Sequence, residues 1–492
     1  MNNKFNIIPE IFASILAISA GLIIYISRIG YDNYGILILK SILTVMYIIF
    51  TPFVLKTYFK SISNEKWYLS KTIILIICMI LSVLMGALNT LVSVDISNYL
   101  SVFGIFIIIL VFNKLSSCNY GRIRIGMYVL FFLFGIWCVS AYSLSGIFHP
   151  LFIEKLTTGA YLHRDAVWFP TLAGMSKVYG ISSNGLDGLL PVHYHIFSHY
   201  LFGEFSNLLN VSTFIFYNIC VPIIFTPILF LSLIFCIKEI REYYKNKLTF
   251  INVDETNNIY WFVLSALFIM PFPLQLIGII GGETYQYLTS GSYKTAFIIT
   301  FLLISIIFEY LNKFNINNNK SKSSTVLLIM ISIILFYIMA LSKVSFLFVV
   351  GLMYGYIYLR YKYYNNTYHN FAMFGFISVT VIIYISILNT ETFLKNSYQI
   401  KSHSVVLSEY ILYIAPSIIY SILKIYSLGI KSISDFVIKL KNKELIEVEI
   451  LFVLAVVIFP LPFQYFKGIQ IFIAYILILA HLGMFLKKIG KY

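Results

Sequence analysis

The sequence predicts an all-α polytopic integral membrane protein, and three observations carry that prediction. Of its 492 residues, 60% are hydrophobic and only 11% are charged, and the mean hydropathy is +0.87. A single soluble core cannot enclose that much apolar surface. The apolar residues also fall into separate runs of roughly 20 residues, which is the length that an α-helix needs to cross a bilayer.

About 14 transmembrane helices are predicted along the chain. The first apolar run is a span and not a signal peptide, because no small-residue cleavage site follows it. The fourth run is short and is expected to tilt into the protein. The ninth and tenth runs are separated only by Ser342 and Lys343, so they are either two spans or one bent, re-entrant unit. The predicted spans cover residues 7–27, 36–55, 72–92, 99–112, 126–147, 211–236, 258–280, 295–312, 325–341, 344–359, 370–388, 406–423, 448–465 and 468–486.

The distribution of positive charge predicts the orientation. If the N-terminus is cytoplasmic, the cytoplasmic segments hold 25 of the 35 Lys and Arg residues, and the opposite side, including span ends, holds the other 10, as the positive-inside rule expects. Both termini then face the cytoplasm. The formal charge of +15 reflects lysines that anchor these loops, and nucleic-acid binding is not expected.

The chain divides into three regions. Residues 1–147 hold the first five predicted helices, residues 148–210 form one large external loop, and residues 211–492 hold the remaining helices with short loops. The large loop is aromatic and semi-apolar, which predicts two interfacial amphipathic helices around the turn-rich connector "ISSNGLDGLLP". The other loops carry no Walker motif and no nucleotide-binding domain, so chemistry driven by cytosolic ATP is not expected within this chain.

Five of the eight histidines lie between residues 149 and 199, inside or beside this loop. Asp165 precedes an apolar aromatic stretch, where a carboxylate can act as a general base on a hydroxyl. It is equally typical of the negative charge that a helix N-terminus favours. His195 and His199 are four residues apart, hence on one helix face. They suit a metal, although the Glu of HExxH is missing. They also suit a wall that binds phosphate, or a pair of interfacial anchors.

Other ionisable residues extend this candidate site. His163 and Arg164 precede the carboxylate directly, and His193 lies just before the histidine pair. Lys343 lies in "MALSKVSFLF", and a lysine at membrane depth usually marks a site or pairs with an acid; the alternative is a tight turn from which it reaches water. Glu283 in "GGETYQY" is an external acid that can share the pocket.

The block "RDAVWFPTLAGMSKVYGISSNGLDGLLPVHYHIFSHYLFG", with its many flanking spans, resembles the GT-C class of membrane glycosyltransferases. It is most similar to O-antigen polymerases (Wzy) of surface-polysaccharide clusters. The resemblance implies a sugar donor on a polyprenyl phosphate or pyrophosphate, and an external Asp or Glu as base. It also implies a bacterial inner membrane, with the loop facing the periplasm, and partners such as a chain-length regulator or other polysaccharide-assembly proteins.

The resemblance assigns roles to the candidate residues. Asp165 takes the base role. The residues expected to bind the substrate and its phosphate are His163, Arg164, His193, His195, His199, Lys343 and Glu283. No cofactor is required, and a divalent metal is possible but not indicated. Two alternatives stay open: a GT-C enzyme that adds a single sugar from a polyprenyl-phosphate donor, and a flippase for lipid-linked oligosaccharides or another transporter. A transporter is expected to carry charges deep within its spans around a cavity.

Overall fold

The computed structural model describes residues 35–62, 70–92, 104–105, 164–185, 191–192, 196–247, 291–316, 322–361, 367–388 and 407–458, together with residues 473, 474, 477, 478 and 481. This part of the chain is helical and contains no strand beyond one isolated bridge. Thirteen α-helices and one π-helical turn account for it. They are α1 (Gly35–Ile62), α2 (Lys71–Val92), α3 (Arg164–Tyr179), α4 (Ile196–Leu208), α5 (Thr213–Ile215), the π turn (Phe216–Cys220), α6 (Val221–Lys247), α7 (Gly291–Ile316), α8 (Lys322–Ser342), α9 (Val344–Tyr361), α10 (Thr367–Leu388), α11 (Leu407–Ser427), α12 (Ile433–Lys441) and α13 (Ile446–Ile458).

These helices confirm the predicted helical class. Four described segments are long and apolar enough to cross a bilayer, namely Gly35–Leu55, Lys71–Thr90, Ile223–Tyr243 and Gly291–Asn312. The predicted spans 7–27, 126–147 and 258–280 lie outside the described residues, as do most of 99–112 and 468–486. The total of about 14 spans therefore stays a prediction.

The first compact unit comprises residues 1–235 and 266–302. In it, α2 packs against α1 and α4, and α3 packs against α4 and α5. Gly86 makes the contact between α2 and α4 possible, because a Cβ at that position would lie 2.1 Å from the backbone oxygen of Glu204. One turn further along α2, the Asn89 side-chain amide donates a 2.7 Å hydrogen bond to the Asn207 carbonyl oxygen. The two helices therefore meet at backbone distance.

The second compact unit comprises residues 236–265 and 303–492. In it, α8 packs against α9 and α10, and α13 packs against α9 and α11. The contact between α9 and α13 includes an ion pair in which Arg360 Nε donates to Glu449 Oε2 at 2.7 Å. The contact between α11 and α13 includes a second pair, between Lys424 Nζ and Glu447 Oε1 at 3.4 Å, and both of these side chains are fully buried.

Candidate functional site

Asp165 is the second residue of α3, which begins at Arg164. It therefore lies in the first turn, where exposed N–H groups and the helix dipole favour a negative charge. This position fits both interpretations of the residue, the base and the helix-end charge. The structure describes the backbone at these two positions. The predicted site residues His163, His193, His195 and Glu283 lie outside the described residues.

The connector after α3 folds back on itself. Gly180 ends the helix with φ +68°, a left-handed conformation that glycine adopts without strain. Its carbonyl oxygen accepts a 2.5 Å hydrogen bond from the Tyr200 hydroxyl of α4. Ser183 and Pro191 then form an antiparallel bridge, and Val192 N–H donates to the Ser182 carbonyl at 2.7 Å. The turn-rich connector thus fixes the end of α3 to the start of α4.

His199 lies beneath this connector and is only 1% exposed. Its Nδ1 shares a 2.7 Å hydrogen bond with Ser182 Oγ, and its ring lies against Phe169 with the ring centres 5.3 Å apart. Burial lowers the pKa of this imidazole to about 3, because a low-dielectric surrounding disfavours the charged form. His199 is therefore neutral near pH 7. An enclosed, uncharged ring supplies no positive charge to a phosphate, so the structure argues against a cationic form of the phosphate-binding interpretation.

A cluster of aromatic rings connects His199 to the helices around it. Phe169 stacks on Tyr217 with the ring centres 5.7 Å apart and the planes 3° from parallel. Phe202 of α4 meets the same tyrosine edge-on at 5.7 Å. The Tyr217 hydroxyl accepts a 3.1 Å hydrogen bond from the N–H of Gly291, where α7 begins. We call Phe169, Ser182, His199, Phe202 and Tyr217 the loop-helix cluster.

The loop-helix cluster lies close to Asp165 along the chain. Phe169 follows Asp165 by four residues on α3. Residues at this spacing share one helix face, about 6 Å apart along the axis. The sequence predicted that the fold would bring Asp165 near the histidines. The structure describes the backbone of Asp165 and not its carboxylate, so this proximity stays a prediction.

The π turn, residues Phe216–Cys220, supplies Tyr217 to this cluster. In it, Val221 N–H donates to the Phe216 carbonyl five residues earlier. Pro222, which has no N–H, follows at once, and a π turn is one way for a helix to absorb such a residue. The sequence predicted one continuous span over 211–236, so this turn was missed. The dipeptide Val221-Pro222 inside an apolar run was the available signal.

Helix α4 is buried, which differs from the prediction of a helix lying on the membrane surface. No residue of α4 is exposed, and nine of its 13 residues are buried. Its small residues explain this position. Because Gly203 has no side chain, the carbonyl oxygen of Ala173 on α3 can lie 3.1 Å from the position that a Cβ would occupy. On the opposite helix, Gly86 of α2 allows the same close approach to the backbone of α4. A hydrophobicity pattern shows an apolar face but does not show whether lipid or protein covers it.

Lys177 is the cation of α3 whose side chain the structure describes. Its Nζ donates a 2.9 Å hydrogen bond to the Val211 carbonyl oxygen. Burial lowers its pKa, and the neighbouring Glu204 carboxylate partly opposes that change. This lysine therefore connects the end of α3 to the segment that follows α4.

Lys343 belongs to the second unit. It is the single residue between α8 and α9, so the break is one residue shorter than the predicted Ser342-Lys343 turn. Lys343 is 7% exposed, and its backbone N–H donates to the Met339 carbonyl at 2.7 Å. The lysine is thus buried at a break between two apolar helices.

Sequence reasoning missed several polar groups that the fold brings together. Ser182 and Tyr217 carried no motif, and their contacts become visible only when α3, α4 and the π turn pack. Lys424 and Glu447 were missed for the same reason, since each lies at the end of a predicted span, where a charge is ordinary. In the described part of the chain, no group of three or more His, Cys, Asp or Glu residues is arranged to hold a metal ion.

No family model, curated protein or solved structure matches the chain.

Proposed function

We propose that the chain is a membrane glycosyltransferase that acts on sugars linked to polyprenyl pyrophosphate, as a polymerase of surface-polysaccharide repeat units. The proposal places the enzyme in a bacterial inner membrane, with the region 148–210 on the periplasmic side. Its substrates are lipid-linked oligosaccharides that reach the site within the bilayer. A chain-length regulator or other assembly proteins are the expected partners.

One observation supports this proposal above the others. The first turn of α3 holds Asp165 one turn before Phe169, which is packed into the loop-helix cluster. Catalysis requires a base that stays in place while substrates move. The stacking of Phe169 on Tyr217 and the hydrogen bond from Lys177 to the Val211 carbonyl hold α3 in this way.

The proposed reaction is a displacement at the anomeric carbon. An acceptor hydroxyl forms the new C–O bond while the bond between the anomeric carbon and the pyrophosphate oxygen breaks. The hydroxyl proton passes to the Asp165 carboxylate, and the bonding electrons leave with the pyrophosphate. General-base assistance of this kind typically contributes about 10²–10⁴-fold in rate.

Negative charge develops on the departing pyrophosphate and needs cations near it. Arg164, in the first turn of α3, is the proposed bidentate partner. His163, His193 and His195 keep the substrate-binding role predicted from the sequence, as do Lys343 and Glu283. His199 does not keep the cationic role, because its ring is buried and neutral. It acts instead as a positioning residue that holds α3, α4 and the connector together.

The first experiment compares surface glycan on a gel from the parent strain, a strain lacking this gene, and strains complemented with variants. Asp165→Asn keeps the size of the side chain and removes the base. We expect a complete loss of the long ladder, down to core plus one repeat unit, with expression at the level of the unaltered protein. Glu204→Gln is the matched control, since a Gln oxygen can still accept the hydrogen bond from Asn207. A normal ladder from Asp165→Asn contradicts the base role.

The same gel separates the alternatives. A ladder that persists with a shifted step, or with altered serology, indicates a transferase that adds a single side-branch sugar. Loss of all repeat-bearing glycan, with lipid-linked units retained on the cytoplasmic face, indicates a flippase.

A transporter is the second candidate, and one observation favours it. Lys424 and Glu447 are charged residues with no exposed surface, and Glu447 also lines a cavity in the second unit. Buried charges inside a membrane protein are typical of a transporter. Retention of lipid-linked units on the cytoplasmic face in the deletion strain is the result that supports this candidate.

A further inference from the structure

One short helix of the second unit leaves its apolar side uncovered. Helix α12, Ile433–Lys441, contains no buried residue. Ile433 is 85% exposed, Ile438 54% and Val437 41%. Transfer of such side chains out of water is favourable, and a group of them on one element marks a contact with a partner or a membrane.

The sequence of α12 separates apolar residues from charged ones. Asp435 and Lys439 are four residues apart and therefore lie on the same side of the helix. The other side follows the i, i+3, i+4, i+7 spacing of an apolar helix face, with Ile433, Phe436, Val437 and Leu440. An amphipathic helix that carries lysines and presents an apolar face is typical of a helix lying in the plane of a membrane surface.

Both ends of α12 are held in place. At the start, the Asp435 N–H donates a 3.1 Å hydrogen bond to Ser432 Oγ, which caps the helix. At the end, Arg360 Nη2 of α9 donates to the Leu440 carbonyl oxygen, and a cation there suits the helix dipole. A helix of nine residues is marginal in water by itself. These contacts therefore hold α12 against the second unit by its ends, while its apolar face stays open.

The preceding helix, α11, carries an exposed apolar stripe that leads to α12. Ile418, Ile422 and Tyr426 are all exposed, and their spacing of four residues places them along one side. Most of α11 coincides with the predicted span 406–423, so this side is expected to face lipid. A tyrosine near the end of such a stripe is typical of the level of the headgroups. Only residues 428–432 separate α11 from α12, so a bilayer that covers the stripe also reaches α12.

The charges around α12 indicate the kind of surface that covers it. Residues 431–443 hold four lysines and one acid. Lys431 and Lys441 are exposed, whereas Lys439 pairs with Glu444 at 2.8 Å. A second copy of the chain would bring identical lysines together, and like charges oppose such a contact. A leaflet with anionic headgroups offers the complementary charge, and in the predicted orientation α12 faces the cytoplasmic leaflet, where such lipids attract lysines.

We propose that α12 lies in the cytoplasmic surface of the bilayer and binds anionic phospholipid headgroups through Lys431 and Lys441. The two ammonium groups donate hydrogen bonds to phosphate oxygens, and the apolar face of α12 contacts the upper part of the acyl chains. The inference goes beyond the transferase reaction and applies to either candidate function.

The test measures which lipid contacts α12 in the full-length protein. Phe436→Trp places a fluorescent reporter on the apolar face, and the protein is reconstituted into phosphatidylcholine vesicles that contain brominated phosphatidylcholine or brominated phosphatidylglycerol. Bromine quenches a tryptophan that it contacts. The signal of the unaltered protein, which has four tryptophans, is subtracted. Phe374→Trp is the matched control, since Phe374 is exposed on α10, a helix without a lysine.

We expect brominated phosphatidylcholine to quench both reporters, and brominated phosphatidylglycerol to quench only the α12 reporter more strongly. A lysine near an anionic surface changes binding by about five-fold. Adding Lys431→Gln/Lys441→Gln should therefore lower the preference for phosphatidylglycerol by about five-fold or more, whereas Lys431→Arg/Lys441→Arg should keep it. Both lysines are exposed, so these changes leave the packing intact. High salt should also weaken the preference.

Two results would overturn the proposal. If neither lipid quenches the α12 reporter while both quench the control, protein and not lipid covers α12. If both lipids quench the α12 reporter equally, whatever stands at positions 431 and 441, the bilayer covers the helix without recognising headgroup charge. This readout does not depend on glycan synthesis. A normal ladder from Asp165→Asn therefore refutes the transferase and leaves the lipid site standing, and the reverse also holds.

Discussion

The contact between α2 and α4 can be broken by a single methyl group. Gly86→Ala would place a Cβ 2.1 Å from the Glu204 oxygen and 2.8 Å from its carbonyl carbon, whereas ordinary contact begins at 3.4 Å. Both atoms belong to the backbone, so no side-chain rotation relieves the overlap. The difference between 3.4 and 2.1 Å means that the helices must separate by about 1.3 Å.

The size of the effect follows from that separation. A gap of 0.5–1 Å already removes about a quarter to a half of the dispersion energy of the atoms that face it. Overpacking that moves backbone costs about 3 kcal/mol, and the better helix propensity of alanine returns about 1 kcal/mol. We therefore expect Gly86→Ala to lower the free energy of unfolding by about 2 kcal/mol.

Gly355 offers a matched control. It lies inside α9, and a Cβ there would have no atom within 4 Å. Gly355→Ala should therefore gain the helix propensity alone and be more stable by about 1 kcal/mol.

The assay uses cysteines that the fold already buries. Cys78 on α2, Cys220 in the π turn and Cys236 on α6 are free and buried. A thiol-reactive fluorogenic dye added to the full-length protein in detergent reports their exposure on heating. The midpoint should decrease for Gly86→Ala and stay equal or increase for Gly355→Ala. Equal midpoints for the two variants would refute the close backbone approach of α2 and α4.

Three further predictions use the same thermal assay. The free energy of unfolding should decrease as the pH falls from 6.5 towards 3, because His199 takes a proton near pH 6.5 in the unfolded chain but only at about pH 3 in the folded protein. This dependence should reach about 1.4 kcal/mol per pH unit, and it should be weaker in His199→Gln. Ser182→Ala should cost about 1–3 kcal/mol, since it leaves a buried ring nitrogen without its partner, and a midpoint equal to that of the unaltered protein would contradict this role. Lys424→Met should lower the free energy of unfolding by about 3–5 kcal/mol because it leaves the Glu447 charge buried alone, and adding Glu447→Gln should restore much of that loss. Arg360→Met, at a partly exposed ion pair, should cost about 1 kcal/mol. Equal losses for Lys424→Met and Arg360→Met would contradict the expectation that the more deeply buried pair is the more costly one to break.

The helices themselves were largely predictable. The apolar runs at 36–55, 72–92 and 295–312 coincide with α1, α2 and α7 within a few residues at most ends, because a run of that length and composition forms a helix wherever it is placed. The ends extend beyond the runs where polar residues continue the helix, as in residues 56–62 of α1. Composition locates the bilayer-crossing part of a helix but not its full length.

The candidate site was predictable only in part. Asp165 and the turn-rich connector are local features, so residue type and spacing revealed the helix start and the fold-back. The environment of His199 depends on Phe169 and Ser182, which are 30 and 17 residues away along the chain. No local pattern shows that such residues enclose the ring and remove its charge.

The buried ion pair of Lys424 and Glu447, which His481 also contacts, shows the same limit more strongly. Lys424 lies 23 residues from Glu447 and 57 residues from His481. Lys424 and Glu447 lie at the ends of the predicted spans 406–423 and 448–465. A charge in such a place is compatible with a helix end, a lipid-facing anchor or a site. Only the packing of α11 against α13 brings opposite charges within bonding distance.

The close contact between α2 and α4 also determines the order in which the first unit can assemble during synthesis. Asn89 and its partner Asn207 are separated by 118 residues. At about 5–20 residues per second, the ribosome needs about 6–24 seconds to make that segment. During this interval α2 is already in the bilayer, but α4, which packs against the notch in its surface at Gly86, has not yet been made. The early chain therefore depends on lipid or on the insertion machinery to cover this notch until α4 emerges, and a faster ribosome would shorten its exposure.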